Sequence, residues 1–171
     1  MELNILPQSD KKDVFKTVKE FLESNHFKII KSDENRPWGG FYVIDELQSE
    51  QFINFFFLNV IEAKQKSTGK ISPKILIVEG HKRLSWQYHH RRSEIWKVIG
   101  GEVGVIKSDT DKEGNLQLKK KEDIIILKQG ERHRLIGTEN WGIIAEIWQH
   151  TDTNKPSDED DIVRVQDDFG R

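Results

Sequence analysis

Residues 87–101 read Gln-Tyr-His-His-Arg-Arg-Ser-Glu-Ile-Trp-Lys-Val-Ile-Gly-Gly, and His133 follows in Gly130-x-x-His. Gln87 and His89 are two positions apart, so on an extended strand their side chains leave the same face. Glu94 lies five further on and falls on the opposite face unless a turn intervenes. The polar run His90-Arg91-Arg92-Ser93 can supply that turn, and His133 must arrive from a separate strand. Two neutral imidazoles, one carboxylate and one amide oxygen make an N/O donor set for a single divalent ion. Zinc is the first choice, with iron, manganese and nickel as alternatives. Glu94 is the only anionic member of the set, so the ion keeps positive charge for Lewis-acid work on a hydroxyl or carbonyl. The plainer reading is a barrel in which the same side chains only hydrogen-bond to one another.

The elements that must position these groups are mostly short strands. Segments 41–44, 75–78, 95–99, 103–106, 116–118, 124–127 and 143–148 are rich in β-branched or aromatic residues. Gly80, Gly100-Gly101, Glu113-Gly114-Asn115 and Gln129-Gly130 mark turns between them. That rhythm predicts an all-β sandwich or barrel. Ahead of it, Phe15, Val18, Phe21 and Leu22 recur at helical spacing with Asp10 or Ser9 as cap, which predicts a helix over 13–24. Residues 46–72 interrupt the strands: Phe52, Phe55, Phe56 and Phe57 predict an amphipathic helix or extra strand, followed by a mobile lysine-rich loop. The phenylalanines read as core, and the alternative is a homodimer contact. The division expected is 1–35, a helical extension packed on the barrel, and 36–171, the barrel itself.

Composition narrows the classes. The 27 basic and 29 acidic side chains are interspersed and give a net charge of −2, so no basic face calls for nucleic acid. There is no cysteine, which excludes disulfides and thiolate ligands. The first residues lack the charged and apolar regions of a signal peptide, and no apolar run is long enough to cross a bilayer. A cytoplasmic protein without membrane contact is the expectation.

The ligand pattern is similar to the two-part motif of the cupin superfamily, with Gln87 where the first histidine usually stands and one extra residue between Gly80 and Gln87. Further segments sharpen the likeness: Arg36-Pro37-Trp38-Gly39, residues 74–78, Leu84-Ser85-Trp86-Gln87-Tyr88-His89-His90, Arg92-Ser93-Glu94-Ile95-Trp96, residues 159–164 and Asp168-Phe169-Gly170-Arg171. In this order they resemble the cupin domain of type II mannose-6-phosphate isomerases, a domain that in that family often follows a mannose-1-phosphate guanylyltransferase. The resemblance covers about 36–45 and 74–171. It implies a double-stranded β-helix, a jelly-roll barrel, and the metal-dependent interconversion of mannose 6-phosphate and fructose 6-phosphate. Residues 1–35 are too few for a nucleotide-binding domain, so guanylyltransferase activity is not expected of this sequence. Arg91 and Ile95 stand where the family usually has histidine, a departure that bears on substrate choice.

Such a reaction needs a group that moves a proton between C1 and C2, and cations for the phosphate. Glu146, inside the apolar run Ile143-Ile144-Ala145-Glu146-Ile147-Trp148, is a candidate base; its alternative role is as structural partner of an arginine. His90 is the second candidate, although an ideal strand turns it away from His89. Arg92, within the metal-binding turn, leads the phosphate candidates and is counted with the catalytic group. Arg171, Lys74 and Arg36 follow, then Arg164. Trp38, Trp86 and Trp96 could floor the sugar site or belong to the core. The competing functions are a non-catalytic sugar-phosphate-binding cupin, another sugar isomerase, and a dioxygenase.

Overall fold

The computed structural model describes residues 3–6, 8–64 and 70–170. Helix α1 spans Lys11–Ser24, and Asp10 caps it by accepting from Asp13 N at 2.9 Å. Its buried stripe is Val14, Phe15, Val18, Phe21 and Leu22, the spacing that predicted it. Among the described residues eleven strands follow: β1 (Ile29–Arg36), β2 (Gly39–Ile44), β3 (Ile71–Val78), β4 (Trp86–Tyr88), β5 (Arg92–Gly100), β6 (Glu102–Ser108), β7 (Gln117–Lys120), β8 (Ile124–Leu127), β9 (Arg132–Gly137), β10 (Gly142–His150) and β11 (Val163–Gln166). Between β2 and β3 lie a single 3-10 turn, Glu46–Gln48, and two helices, α2 (Ser49–Phe56) and α3 (Ile61–Lys64).

The strands form two antiparallel sheets. One runs β1-β2-β3-β10-β5-β8 and the other β11-β4-β9-β6-β7, the paired sheets of a jelly roll. Alternation along β10 shows how the first sheet is buried on both faces. Ile143, Ala145 and Ile147 join a core with α1 and α2, while Ile144 joins a second core with Trp96, Val98, Val103, Val105 and Leu135. The second core draws on both sheets and is the barrel interior. Gly101 makes the tight β5–β6 turn possible: its φ is +69°, and a Cβ there would overlap the Trp141 carbonyl oxygen.

Two expected boundaries change, and one open choice is decided. Residues 29–36 are strand rather than helical extension and pair with β2, so the first sheet runs across position 35. Polar residues at most β1 positions hid that strand, because an edge strand has only one neighbour to satisfy. Residues 46–56 and 61–64 are helical, one of the two forms expected there, and β3 begins at Ile71: Phe52, Phe56 and Phe57 are buried against the outer face of the first sheet, whereas Phe55 is half exposed. The loop expected after it falls largely on 65–69, outside the described residues. Finally, the strand expected at 116–118 lies at Gln117–Lys120. No described helix is long and apolar enough to cross a membrane.

Candidate metal centre

β4 and β5 belong to different sheets, and residues 89–91 turn the chain between them. The polar run therefore does what its composition suggested, bringing Glu94 back toward His89. Gln87 pairs directly with His133 across β4 and β9. His89, Glu94 and His133 are each 2% exposed, and their donor atoms all lie within 4.8 Å of one another. His89 Nε2 is 3.2 Å from one Glu94 oxygen and His133 Nε2 is 3.4 Å from the other.

Hydrogen bonds on the far side of each ring set its tautomer. His89 Nδ1 lies 2.5 Å from the Asp161 carbonyl oxygen, and His133 Nδ1 lies 2.9 Å from that of Glu131. A carbonyl can only accept, so both Nδ1 atoms carry hydrogen and both Nε2 atoms present lone pairs inward. Burial pushes His89 down to about 3, against the pull of Glu94, and it lowers His133 as well. The imidazoles are neutral, so their closeness to Glu94 is not an ion pair. Burial opposes ionisation of Glu94, but the Arg92 guanidinium that donates to it favours the charged form, and the net shift is downward.

These residues fit a divalent ion. His133 Nε2 is buried with no hydrogen-bond partner among the described residues, which is costly for a folded protein and natural for a ligand. A tetrahedral ion with bonds of about 2.1 Å has ligand–ligand edges of about 3.4 Å, close to the separations here. Gln87 faces the same cavity as Glu94, and its amide oxygen accepts from the Ser85 hydroxyl. It stands beside the three-residue cluster, with its oxygen turned to Ser85.

Glu146 is 3% exposed inside the barrel. The Trp96 indole N–H donates to Glu146 at 2.8 Å and to Glu94 at 3.2 Å, so one donor links the two carboxyls. Its partner is thus a tryptophan and not an arginine. Burial, then the charge of Glu94, pushes Glu146 up to about 8, with Lys74 and Arg92 pulling the other way. Arg92 is 5% exposed and lies 3.6 Å over the Trp148 ring. Its Nε donates to Glu94, its Nη1 to Ser157 and the Asp158 carbonyl, and its Nη2 sits 3.1 Å from His89 Nε2. Each guanidinium nitrogen is already engaged by the protein, which makes Arg92 an organiser of the cluster more than a free phosphate clamp.

The remaining candidates sort by position. Lys74, Arg36 and Arg164 line the cavity, Arg36 paired with Asp33 at 2.8 Å. Trp38 and Trp96 line it too, whereas Trp86 does not: its indole donates to the Asp111 carbonyl. His90 is corrected. It is exposed, packs edge-on against Tyr88 at 5.2 Å and is absent from the cavity wall, because strand alternation sends it outward from His89. Arg171 lies outside the described residues. The sequence reading missed Asp161, Ser157 and Glu159. Asp161 accepts from His90 N, Arg91 N and Ser157 Oγ, thereby fastening the turn that carries the ligands. The acidic residues within the 159–164 motif were the available signal.

A buried His-Glu-His cluster at the centre of two antiparallel sheets defines a cupin-type barrel with a candidate metal centre. The model of the family Mannose-6-phosphate isomerase C-terminal matches residues 57–167, and the chain belongs to that family. Among curated proteins no sequence matches it. Several solved structures resemble the chain at low identity. Vicilin from Corylus avellana (hazelnut) is 14% identical with a TM-score of 0.53, over 81% of this chain and 36% of that one. A Cupin 2 conserved barrel domain protein from Salinispora arenicola is 19% identical with a TM-score of 0.42, over 49% of this chain and 65% of that one. The DMSP lyase DddQ from Ruegeria pomeroyi is 11% identical with a TM-score of 0.43, over 53% and 44%. The chain thus spans less than two thirds of each of these structures.

Proposed function

We propose that the chain is a metal-dependent aldose–ketose isomerase that interconverts mannose 6-phosphate and fructose 6-phosphate. One observation carries the reading: a single indole N–H joins a carboxylate held ionised, Glu94, to a carboxyl held near neutrality, Glu146. Environments that push two carboxyls apart in this way divide the roles of ligand and proton carrier between them. His89, Glu94 and His133, with Gln87 alongside, would hold the ion. When bound, that ion supplies Lewis acidity that stabilises negative charge on the C1 and C2 oxygens.

The protein's own groups do the rest. Ionised Glu146 takes the proton from C2, leaving an enediolate, and returns it to C1; the hydroxyl proton passes between the adjacent oxygens. A pKa near the working pH suits a group that must both accept and donate. Trp96 orients Glu146, and Trp38 and Phe41 help wall the cavity from water. Arg36, Lys74 and Arg164 place positive charge around the phosphate end. Incubating the chain with mannose 6-phosphate in deuterated water and each candidate metal tests the proposal. Formation of fructose 6-phosphate with deuterium entering at the transferred position supports proton transfer through an enediolate. Failure to convert mannose 6-phosphate with zinc, iron, manganese or nickel overturns it.

A further inference from the structure

Lys74 projects from β3 into the cavity and is only 7% exposed. Its Nζ is 4.2 Å from the Phe41 ring centroid and 4.7 Å from that of Trp148, so two aromatic faces box the ammonium. Its carboxylate partner is Glu159, at 2.9 Å, whose side chain is 48% exposed. Next to it, Trp148 Nε1 is buried without a hydrogen-bond partner among the described residues. Neither feature is explained by folding. An apolar side chain would fill the place of Lys74 without loss of a charge's hydration, and a buried unpaired N–H is a cost that native proteins rarely keep.

We propose that Lys74 and Trp148 form the phosphate subsite of the phosphosugar, and that Glu159 is its gate. The sugar identity rests on the isomerase reading above; the anion subsite stands on its own residues. Lys74 and the indole N–H are both donors, and the carboxylate of Glu159 engages only the first. A phosphate offers more acceptor oxygens and more charge, enough to satisfy both. Arg92 cannot take this part because Glu94, Ser157 and Asp158 engage its donors, and Arg36 is paired with Asp33. Glu159 is free to leave. Its main-chain neighbours are anchored, Asp158 by Arg92 and Asp161 by the ligand turn, so a side-chain rotation toward solvent releases Lys74. Until then the carboxylate neutralises a buried cation.

Calorimetric titration of the full chain with inorganic phosphate tests this, with zinc present and again after chelation so that any phosphate held by the ion is separated out. Glu159→Gln should tighten phosphate binding on the order of tenfold, the worth of one charge-assisted hydrogen bond, in both conditions. Lys74→Met should weaken binding by a similar factor, and in the Lys74→Met background the Glu159→Gln gain should vanish. Should Lys74→Met fail to fold, Trp148→Phe keeps the ring, removes the donor and should weaken binding several-fold. Unchanged affinity in Glu159→Gln, or an equal gain with and without Lys74, overturns the gate. Wild-type affinity in Lys74→Met or Trp148→Phe overturns the subsite. A chain that binds phosphate in this way yet does not convert mannose 6-phosphate leaves the subsite standing and removes the isomerase reading.

Discussion

Replacing Asp161 with alanine should loosen the ligand turn from behind without touching a metal donor. Its carboxylate accepts from His90 N at 3.0 Å, Arg91 N at 2.9 Å and Ser157 Oγ at 2.6 Å. A hydrogen bond to a charged group contributes about 1.5–3 kcal/mol, and water can replace part of it at a turn, so the loss should be roughly 3–4 kcal/mol. For a chain of this size that lowers Tm by roughly 6–16 °C. The Asp161 main-chain carbonyl, which faces His89 Nδ1, stays in the variant but loses the anchorage that its carboxylate gives the turn, so metal affinity should fall by about 10-fold, the low end of what removing a group behind a ligand costs. Burial would raise the Asp161 carboxyl, but the bonds from Ser157, His90 N and Arg91 N outweigh it and the net shift is downward. A depressed folded value means stabilisation that is full above the unfolded value of about 3.9 and lost as pH falls through the folded one. The Tm gap between wild type and Asp161→Ala should therefore be flat at neutral pH and close in acid. Thermal melts across pH and zinc competition with a chromophoric chelator measure both effects. A variant with wild-type Tm and zinc affinity would refute the reasoning.

Three other outcomes follow from the same geometry. Glu146→Gln should keep its metal but lose about 10²–10⁴-fold in isomerase turnover, as read by coupled assay beside metal analysis. Gln87→Glu should bind zinc more tightly and turn over more slowly, because a second anionic group beside the ion lowers its Lewis acidity; competition titration and kcat check the two halves. Phe52→Ala should cost about 3–5 kcal/mol in denaturant unfolding and leave metal content unchanged, since Phe52 packs on the face of the first sheet away from the barrel interior.

The sequence showed the parts whose signal is local. α1 announced itself through Asp10 and an apolar stripe, and β3, β5, β8 and β10 through β-branched runs. His89, Glu94 and His133 were legible because strand period and one turn fix their directions. β9 was not: Arg132 and Arg134 break its apolar pattern, and their partners include Asp111 and Glu113 in a distant loop and Gln166 near the other end of the chain. His90 was kept as a candidate although strand alternation turns it away from His89, and in the structure that alternation holds. Asp161, Ser157 and Glu159 stayed hidden because their meaning lies in bonds to residues far away in the chain, as Asp161 to His89 across 72 positions. Which phenylalanine of 52–57 would be exposed depended on the phase of an eight-residue helix, too short to set it by pattern alone.

The central claim is that His89, Glu94 and His133 hold the ion on which isomerisation depends. Stripping the chain of metal and adding zinc back in sub-stoichiometric steps, with mannose 6-phosphate turnover measured at each step, tests it most directly. Turnover should rise linearly and level at one zinc per chain, while His133→Ala, folded by circular dichroism, should neither retain zinc nor gain activity. Full turnover in the stripped chain, or stoichiometric zinc in His133→Ala, would contradict the account.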